Sequence, residues 1–472
     1  MARVNSILTL VVLLALIVTG CHPITRIPGE ISDPAPAMQE LEDALAGKYA
    51  GTTVTLGSTW SGQWRYDYLQ TLADFQEQTG IGIRFEQIEE DSPDFVARVL
   101  ADEAPDLMQF TYPYAIMDFA RQGKVIDVRQ VIDVATLRDN FDDHWLNWAT
   151  VTGPDGPIIG GVWYVHNVDS IVWYPKAAFE AAGYAAPTTW AELIALSDQI
   201  VADGGVPWCI ENGFWGDGPG YTAAHWLGDI LRRTVSPAEY EQWLRGELKF
   251  DSPQVRQAFE LLTDIWFTPG YAYGGREQIN DNTAWQAEGW MFAKPPKCWL
   301  LKEPGWIAAF DGSTTYTFFQ SREYGTEYDF FLLPPFAEGT TAPLQLNGHF
   351  LTMFHDRPEV RALLQYVASG AAGEAWMKLG THAELSAHKD ANPAWAVEAR
   401  ERDLAQAVQD AGDQVFLSPN AIFSTFQREP YVSISAYIDG SIDLDTALQQ
   451  IDAAWPDMTL APENAALPND AE

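Results

Sequence analysis

Apolar positions along the chain alternate between two spacings. Thr53 to Ser58 is a short β-favouring run. Leu69, Leu72 and Phe75 then recur at helical spacing after Gln63 and stop at Gly80, which predicts a helix. From Ile81 to Ile88 the period becomes two, with Ile81, Ile83 and Phe85 on one side, which predicts a strand. A helix around Phe95 to Ala101 leads to a further short strand at Asp106 to Phe110. Strand, helix and strand in alternation argue for an α/β fold with parallel sheets.

Later helices announce themselves by their starts. Thr189-Trp190-Ala191-Glu192 and Ser236-Pro237-Ala238-Glu239 read as capping boxes, in which the hydroxyl takes the third amide and the Glu returns to the cap amide. Pro237 falls at the first helical position, where its missing N–H costs nothing, and Ser252-Pro253 repeats the signal. Asp356-Arg357-Pro358-Glu359 opens a helix whose apolar face is Val360, Leu363, Leu364 and Val367, with Gly370 as its expected stop. Gly213 to Gly228 reads as a glycine-rich loop carrying Trp215, Tyr221 and Trp226.

The N-terminus has a different pattern. Arg3 precedes Ile7 to Val18, an apolar run too short to span a bilayer comfortably and of the length of a signal-peptide core. Val18-Thr19-Gly20-Cys21 follows and resembles the lipobox of bacterial lipoproteins, in which the cysteine becomes the lipidated N-terminus. Residues 1–20 are therefore expected to be removed. Residues 21–47 are expected to form a lipidated start and a tether stiffened by Pro23, Pro28, Pro34 and Pro36. This places the protein outside the cytoplasm, anchored to the bacterial cell membrane through Cys21. Cys209 and Cys298 remain, in a compartment where disulfides persist; they form either a bridge or two buried thiols.

Composition narrows the function. The chain has 472 residues and a net charge of −37, with 47% hydrophobic and 13% aromatic content. That is enough apolar material for two or three domains. The charge works against nucleic acid, which is bound through clustered Lys and Arg, and against adhesion to anionic lipid. Phosphate-loop, dinucleotide, nucleophile-elbow and zinc-protease motifs are missing, and no two histidines stand at the i, i+4 spacing of a helical metal site. The expectation is a protein that is not an enzyme and uses neither cofactor nor metal. The 19 tryptophans are more informative, because several fall where strands end. Ligands of α/β sheets bind outside the carboxyl ends of strands, and aromatic rings there suit the C–H faces of sugars.

The order and spacing of several segments carry a family resemblance. They are Thr79-Gly80-Ile81, Asp94-Phe95-Val96, Ala104-Pro105-Asp106-Leu107, Gly123-Lys124-Val125-Ile126-Asp127, Asn167 to Tyr174, Pro187 to Leu193, Phe354 to Val360, and Ile451 to Trp455. Together they resemble the substrate-binding proteins of bacterial carbohydrate ABC importers, the large extracellular solute-binding family. Pro207-Trp208-Cys209-Ile210, Leu231-Arg232-Arg233-Thr234 and the position of Cys298 are most similar to its α-glucoside-binding branch, whose paired cysteines map onto Cys209 and Cys298. The chain departs from that branch at Ala224-His225-Trp226, Asn347-Gly348-His349 and Leu417-Ser418-Pro419-Asn420, which leaves the sugar open.

The resemblance implies a two-lobed periplasmic-binding-protein fold of type II, maltose-binding-protein-like, with a hinge and a central ligand cleft. Lobe one is expected at 48–165 and 347–380, and lobe two at 166–346 and 381–462. Implied ligand contacts are Trp60, Gln63, Asp91, Gln109, Tyr164, Trp226, Trp299, Asn347 and His349. The implied role is capture of a sugar, an α-glucoside or other oligosaccharide, by hinge closure and its delivery to membrane permease subunits by a monomer. Two alternatives stand beside it: the same fold binding a cationic or quaternary-ammonium solute through an aromatic cage, and a secreted carbohydrate-active enzyme.

Overall fold

Three parallel strands begin the first sheet. The computed structural model describes residues 38–111, 113–213, 219–308, 318–380, 384–421 and 429–459. The expected signal segment, Cys21 and most of the expected tether lie outside those residues. In chain order the strands are β1 (Thr53–Ser58), β2 (Gly82–Gln87), β3 (Leu107–Phe110), β4 (Thr150–Gly153), β5 (Gly156–Ile159), β6 (Val162–Val168) and β7 (Ile171–Tyr174). They continue with β8 (Leu301–Lys302), β9 (Asp329–Leu332), β10 (Leu344–Met353), β11 (Leu385–Ser386) and β12 (Val415–Leu417).

The first sheet has the order β11-β6-β10-β3-β1-β2, with β12 added on β10. β1, β2 and β3 are parallel, while β10 runs antiparallel to both β3 and β6. The sheet is therefore mixed where the sequence pattern predicts parallel. The second lobe carries the three-stranded sheet β8-β7-β9, and β4 and β5 form a separate hairpin. Val54, Leu56, Leu107, Phe110 and Phe350 are fully buried, as strands covered on both faces require.

Local sequence explains most element boundaries. The expected first helix is in two pieces, Gly62–Thr71 and Ala73–Thr79, broken at Leu72 and ended by Gly80 in the left-handed region at φ 70°. Ser236 and Glu239 make the complete capping box. Thr189 makes only half of one: its hydroxyl accepts from the Glu192 amide at 3.2 Å, but Glu192 turns to the amide and hydroxyl of Thr188. Gly370 does not end its helix. That helix is Pro358–Val367, and Gly370 opens the next, Gly370–Leu379.

The supposed glycine-rich loop also ends early. Tyr221–Thr234 is a helix, so Tyr221 and Trp226 are helical. Gly228 is inside it for a steric reason: a Cβ there would lie 2.7 Å from Pro419 Cδ and 2.8 Å from Gln345 Oε1. Trp215 lies outside the described residues.

Among the described residues two connections run between the first sheet and the three-stranded sheet: Asp169-Ser170 between β6 and β7, and residues 333–343 between β9 and β10. One helix fastens both. Asp229 accepts a hydrogen bond from Ser170 Oγ at 2.5 Å, and the Gln345 amide donates to the same Oγ at 2.7 Å. Arg233 pairs with Asp229 at 2.7 Å and donates to the carbonyls of Leu333, Pro334 and Pro343. Lys302 Nζ adds a second cation 2.8 Å from Asp229. These side chains are almost completely buried, and such a network holds its geometry only while every charge has its partner. Cys209 and Cys298 form the disulfide, with Cα atoms 5.3 Å apart.

Candidate functional site

The residues just past the carboxyl ends of β1, β2 and β3 gather against the start of β10. Trp60 follows β1, Glu90 follows β2 and Thr111 follows β3. β10 brings His349 next to them, because Phe350 pairs with Phe110 and His349 therefore sits one step beyond the strand end. The Trp60 and His349 rings meet edge to face at 4.7 Å. Thr111 Oγ1 lies 3.3 Å from His349 Nδ1, and Glu384 lies 3.0 Å from His349 Nε2. The Thr111 amide donates to Glu90 at 2.8 Å. Glu90 is half-buried, and desolvation pushes its carboxyl up to about 8.

An aromatic cluster backs this patch. Trp60 stacks on Trp376 at 5.4 Å and meets Trp64 at 5.5 Å, and Tyr68 stacks on Tyr164 at 5.6 Å. Trp60, Tyr68, Tyr164 and Trp376 are all buried, so the rings are packed mainly on one another. Gln109 is fully enclosed beneath them. It accepts from Ser58 Oγ at 2.8 Å, and Ser58 Oγ accepts from the Trp60 amide at 3.0 Å. Gln109 therefore acts on Trp60 through Ser58.

Three further carboxyls are enclosed in the second half of the molecule. Glu211, Glu288 and Glu303 are each 98–99% buried, at 1%, 1% and 2% exposure. Thr222 Oγ1 donates to Glu211 at 2.5 Å. Burial pushes Glu288 up to about 8 and raises Glu303 well above the carboxylate range, with Glu211 adding to the latter. Beside the crossing, burial also raises Asp169 to about 8, and His225 Nε2 lies 3.6 Å from it.

Of the residues expected to touch ligand, Trp60, Tyr164 and His349 come together, and Asn347 shares their face of the crossing sheet with Asn167 opposite it. Gln63 donates to Asp67 at 2.7 Å on the neighbouring helix, and Asp91 sits half-buried beside Glu90. Trp226 and Trp299 are elsewhere. Trp226 is 2% exposed, wedged between Trp208 and Trp266. Trp299 packs on Tyr184 and Phe179 beside the disulfide. Trp226 offers no free ring face in this conformation. Sequence reasoning missed Glu90, Trp376 and Glu384. The acidic run Glu89-Glu90-Asp91 was the signal for the first, and nothing in the local sequence marks Glu384. Among the described residues no group of three or more His, Cys, Asp or Glu is arranged to hold a metal ion, and no helix is long and apolar enough to cross a membrane.

This geometry has known relatives. A family model described as bacterial extracellular solute-binding protein matches residues 63–374. The chain is 31% identical over 410 residues to the osmoprotective compounds-binding protein GgtB of Synechocystis sp., covering 85% of this chain and 92% of that protein. It is 29% identical over 334 residues to the alpha-glucosides-binding periplasmic protein AglE of Rhizobium meliloti, covering 69% and 70%. Among solved structures, apo RafE from Streptococcus pneumoniae superposes with a TM-score of 0.65 at 16% identity, over 87% of this chain and 98% of that one. The fold is that of the two-lobed, maltose-binding-protein-like solute receptors.

Proposed function

The chain belongs to the bacterial extracellular solute-binding protein family, and from that membership we propose that it is the sugar-capturing component of an ABC importer. One observation carries the reading: at the carboxyl ends of β1 and β3 an indole, Trp60, stands against the hydrogen-bonding group His349–Thr111–Glu384. A sugar needs both, an apolar ring for its C–H face and paired donors and acceptors for its hydroxyls. The second lobe supplies Glu211, Glu288 and Glu303, and closure about Asp169-Ser170 and residues 333–343 brings the two walls onto the solute.

The solute is an α-glucoside or related oligosaccharide. The protein acts without turnover and hands its cargo to permease subunits whose ATPase partners this chain does not contain. It works as a monomer, exported and held at the cell membrane by a lipid on Cys21. The lobe boundaries, at 48–165 with 347–380 and at 166–346 with 381–462, are part of the same proposal. So are Gln63, Asp91, Gln109, Tyr164, Trp226, Trp299 and Asn347 as ligand contacts, those not facing the cleft becoming available only on rearrangement. A second reading, an osmoprotective solute, comes from the name of the Synechocystis relative, matched over most of its length.

Titration calorimetry against a panel of α-linked oligosaccharides and compatible solutes tests the proposal. The expected result is micromolar binding of a neutral sugar, about −8 kcal/mol, weakened at least tenfold by Trp60→Ala and by His349→Ala. Absence of heat with every neutral sugar up to millimolar concentration would overturn it. Binding of glycine betaine alone would move the assignment to the second reading.

A further inference from the structure

A cavity of about 320 Å³ opens on the far side of the crossing sheet from the candidate cleft. The strand register fixes its side. His166 pairs with Gly348, while the flanking pairs Asn347–Asn167 and His349–Val165 hold the cleft residues. Paired residues share a face and successive pairs alternate, so His166 points away from the cleft. It meets Trp145 at 5.1 Å. Its residue is 4% exposed, and both ring nitrogens lack a hydrogen-bond partner. Burial holds it neutral, its pKa down at about 3, and holds His144 at the same cavity down at about 4. Leaving a buried polar group unpaired is unfavourable, so the cavity has a strong reason to be filled by something that pairs with His166.

We propose that this cavity is a second binding site, for a small neutral polyhydroxylated molecule of the glycerol or tetritol class. The lining selects the class by elimination. A neutral imidazole offers one donor and one acceptor, which a hydroxyl matches in either direction. An apolar guest would leave His166 unpaired. An anion meets a mouth that carries Asp142, Asp143 and Asp413 against Arg138 and Lys389, two of those acids already being in ion pairs. A cation meets a single carboxylate in the lining, Asp142, which Lys389 already pairs at 3.5 Å, and the opposite wall is Met377, Leu385 and Val408. The volume equals about ten waters at liquid density, enough for such a polyol. Trp145 and the aliphatic wall supply the face for its carbons.

The walls come from both halves of the molecule. β6 and the helix Asp143–Trp148 stand on one side, and the helix Ala399–Ala411 on the other. That second helix is fastened to lobe two, where Arg400 donates to Ala308 and Tyr328 and Asp403 accepts from Tyr324. A guest between them is linked to lobe closure whenever it prefers one lobe arrangement. The site does not depend on what the cleft binds.

Histidine ring resonances of the intact protein, followed by NMR during addition of glycerol or erythritol, test the site. A saturable His166 shift with millimolar half-saturation is expected, weakened at least tenfold by Val408→Trp, which fills the mouth from the opposite wall. A shift that climbs linearly into the molar range, the response of solvent alone, would overturn the proposal. So would a saturable shift that Val408→Trp leaves unchanged. Calorimetry with His166→Phe gives a second readout, in which polyol heat must vanish while binding in the cleft persists.

Discussion

Single side chains here are governed by burial more than by type. Trp226 and Trp60 look alike in sequence, each an indole near glycines. One is locked between Trp208 and Trp266, and the other stands at a strand end against His349. Asp91 and Glu90 are neighbours, yet it is Glu90 that the Thr111 amide holds. Strand ends can be read from the apolar pattern, which is why Trp60 was legible; His349 came only with the family resemblance. Inward or outward turning within an acidic run, and pairing across the chain as in His349–Glu384, are tertiary facts with no local trace. The buried acids carry a pH dependence. Glu90, Asp169 and Glu288 titrate near 8 in the folded protein against ordinary values of 3.8–4.5. A raised folded pKa means the native state holds protons the unfolded chain has lost, so this stability is complete below about pH 4 and is lost as pH rises through 8. His144 and His166, depressed from 6.5 to about 4 and about 3, act oppositely: their contribution is complete above 6.5 and is lost toward pH 3. Between 6.5 and 8 the acids alone act. The melting temperature is therefore expected to fall over that window in calorimetric scans, and Glu288→Gln, whose amide stays neutral, to reduce the slope. A slope unchanged in that variant would remove Glu288 from the account.

Elements were most legible where chemistry forces a boundary. Ser236 with Glu239 closes a complete capping box, and Gly80 adopts the left-handed conformation that ends its helix. Reading failed where glycine serves packing. Gly370 and Gly228 look like punctuation, yet one opens a helix and the other sits mid-helix because Pro419 leaves no room for a side chain. Two effects compete in Gly228→Ala. Helix propensity alone favours alanine by about 1 kcal/mol. The added Cβ meets Pro419 Cδ at 2.7 Å, a ring that cannot swing aside, and Gln345 Oε1 at 2.8 Å near the start of β10. Overpacking of that kind costs about 1–3 kcal/mol. The substitution is expected to destabilise by about 1 kcal/mol or more in chemical denaturation. A stabilised Gly228→Ala would mean that the helix moves freely against the crossing, contrary to the Asp229 and Arg233 network that fastens it there.

At the scale of the whole molecule the charge of −37 and the interior chemistry point in different directions. The acidic surface is a solvated exterior, and charges there are screened beyond about 8–10 Å at ordinary ionic strength. Burial favours the protonated form of the enclosed carboxyls Glu288 and Glu303, which suits them to act near neutrality as hydrogen-bonding groups. The two-lobed fold followed from the order of sequence segments; the neutrality of the acids enclosed within it did not, because it comes from desolvation. A cleft of this kind is suited to a neutral solute despite the acidic chain. Affinity for the captured sugar is expected to change less than twofold between about 50 and 500 mM NaCl in titration calorimetry at pH 7, since neither partner exchanges counterions on binding. A cationic solute would behave differently: the surface field steers it at low salt, and its binding would weaken severalfold or more over the same range. A steep salt dependence for the best-bound solute would therefore count against the neutral-sugar reading even if the fold and the hinge behave as described.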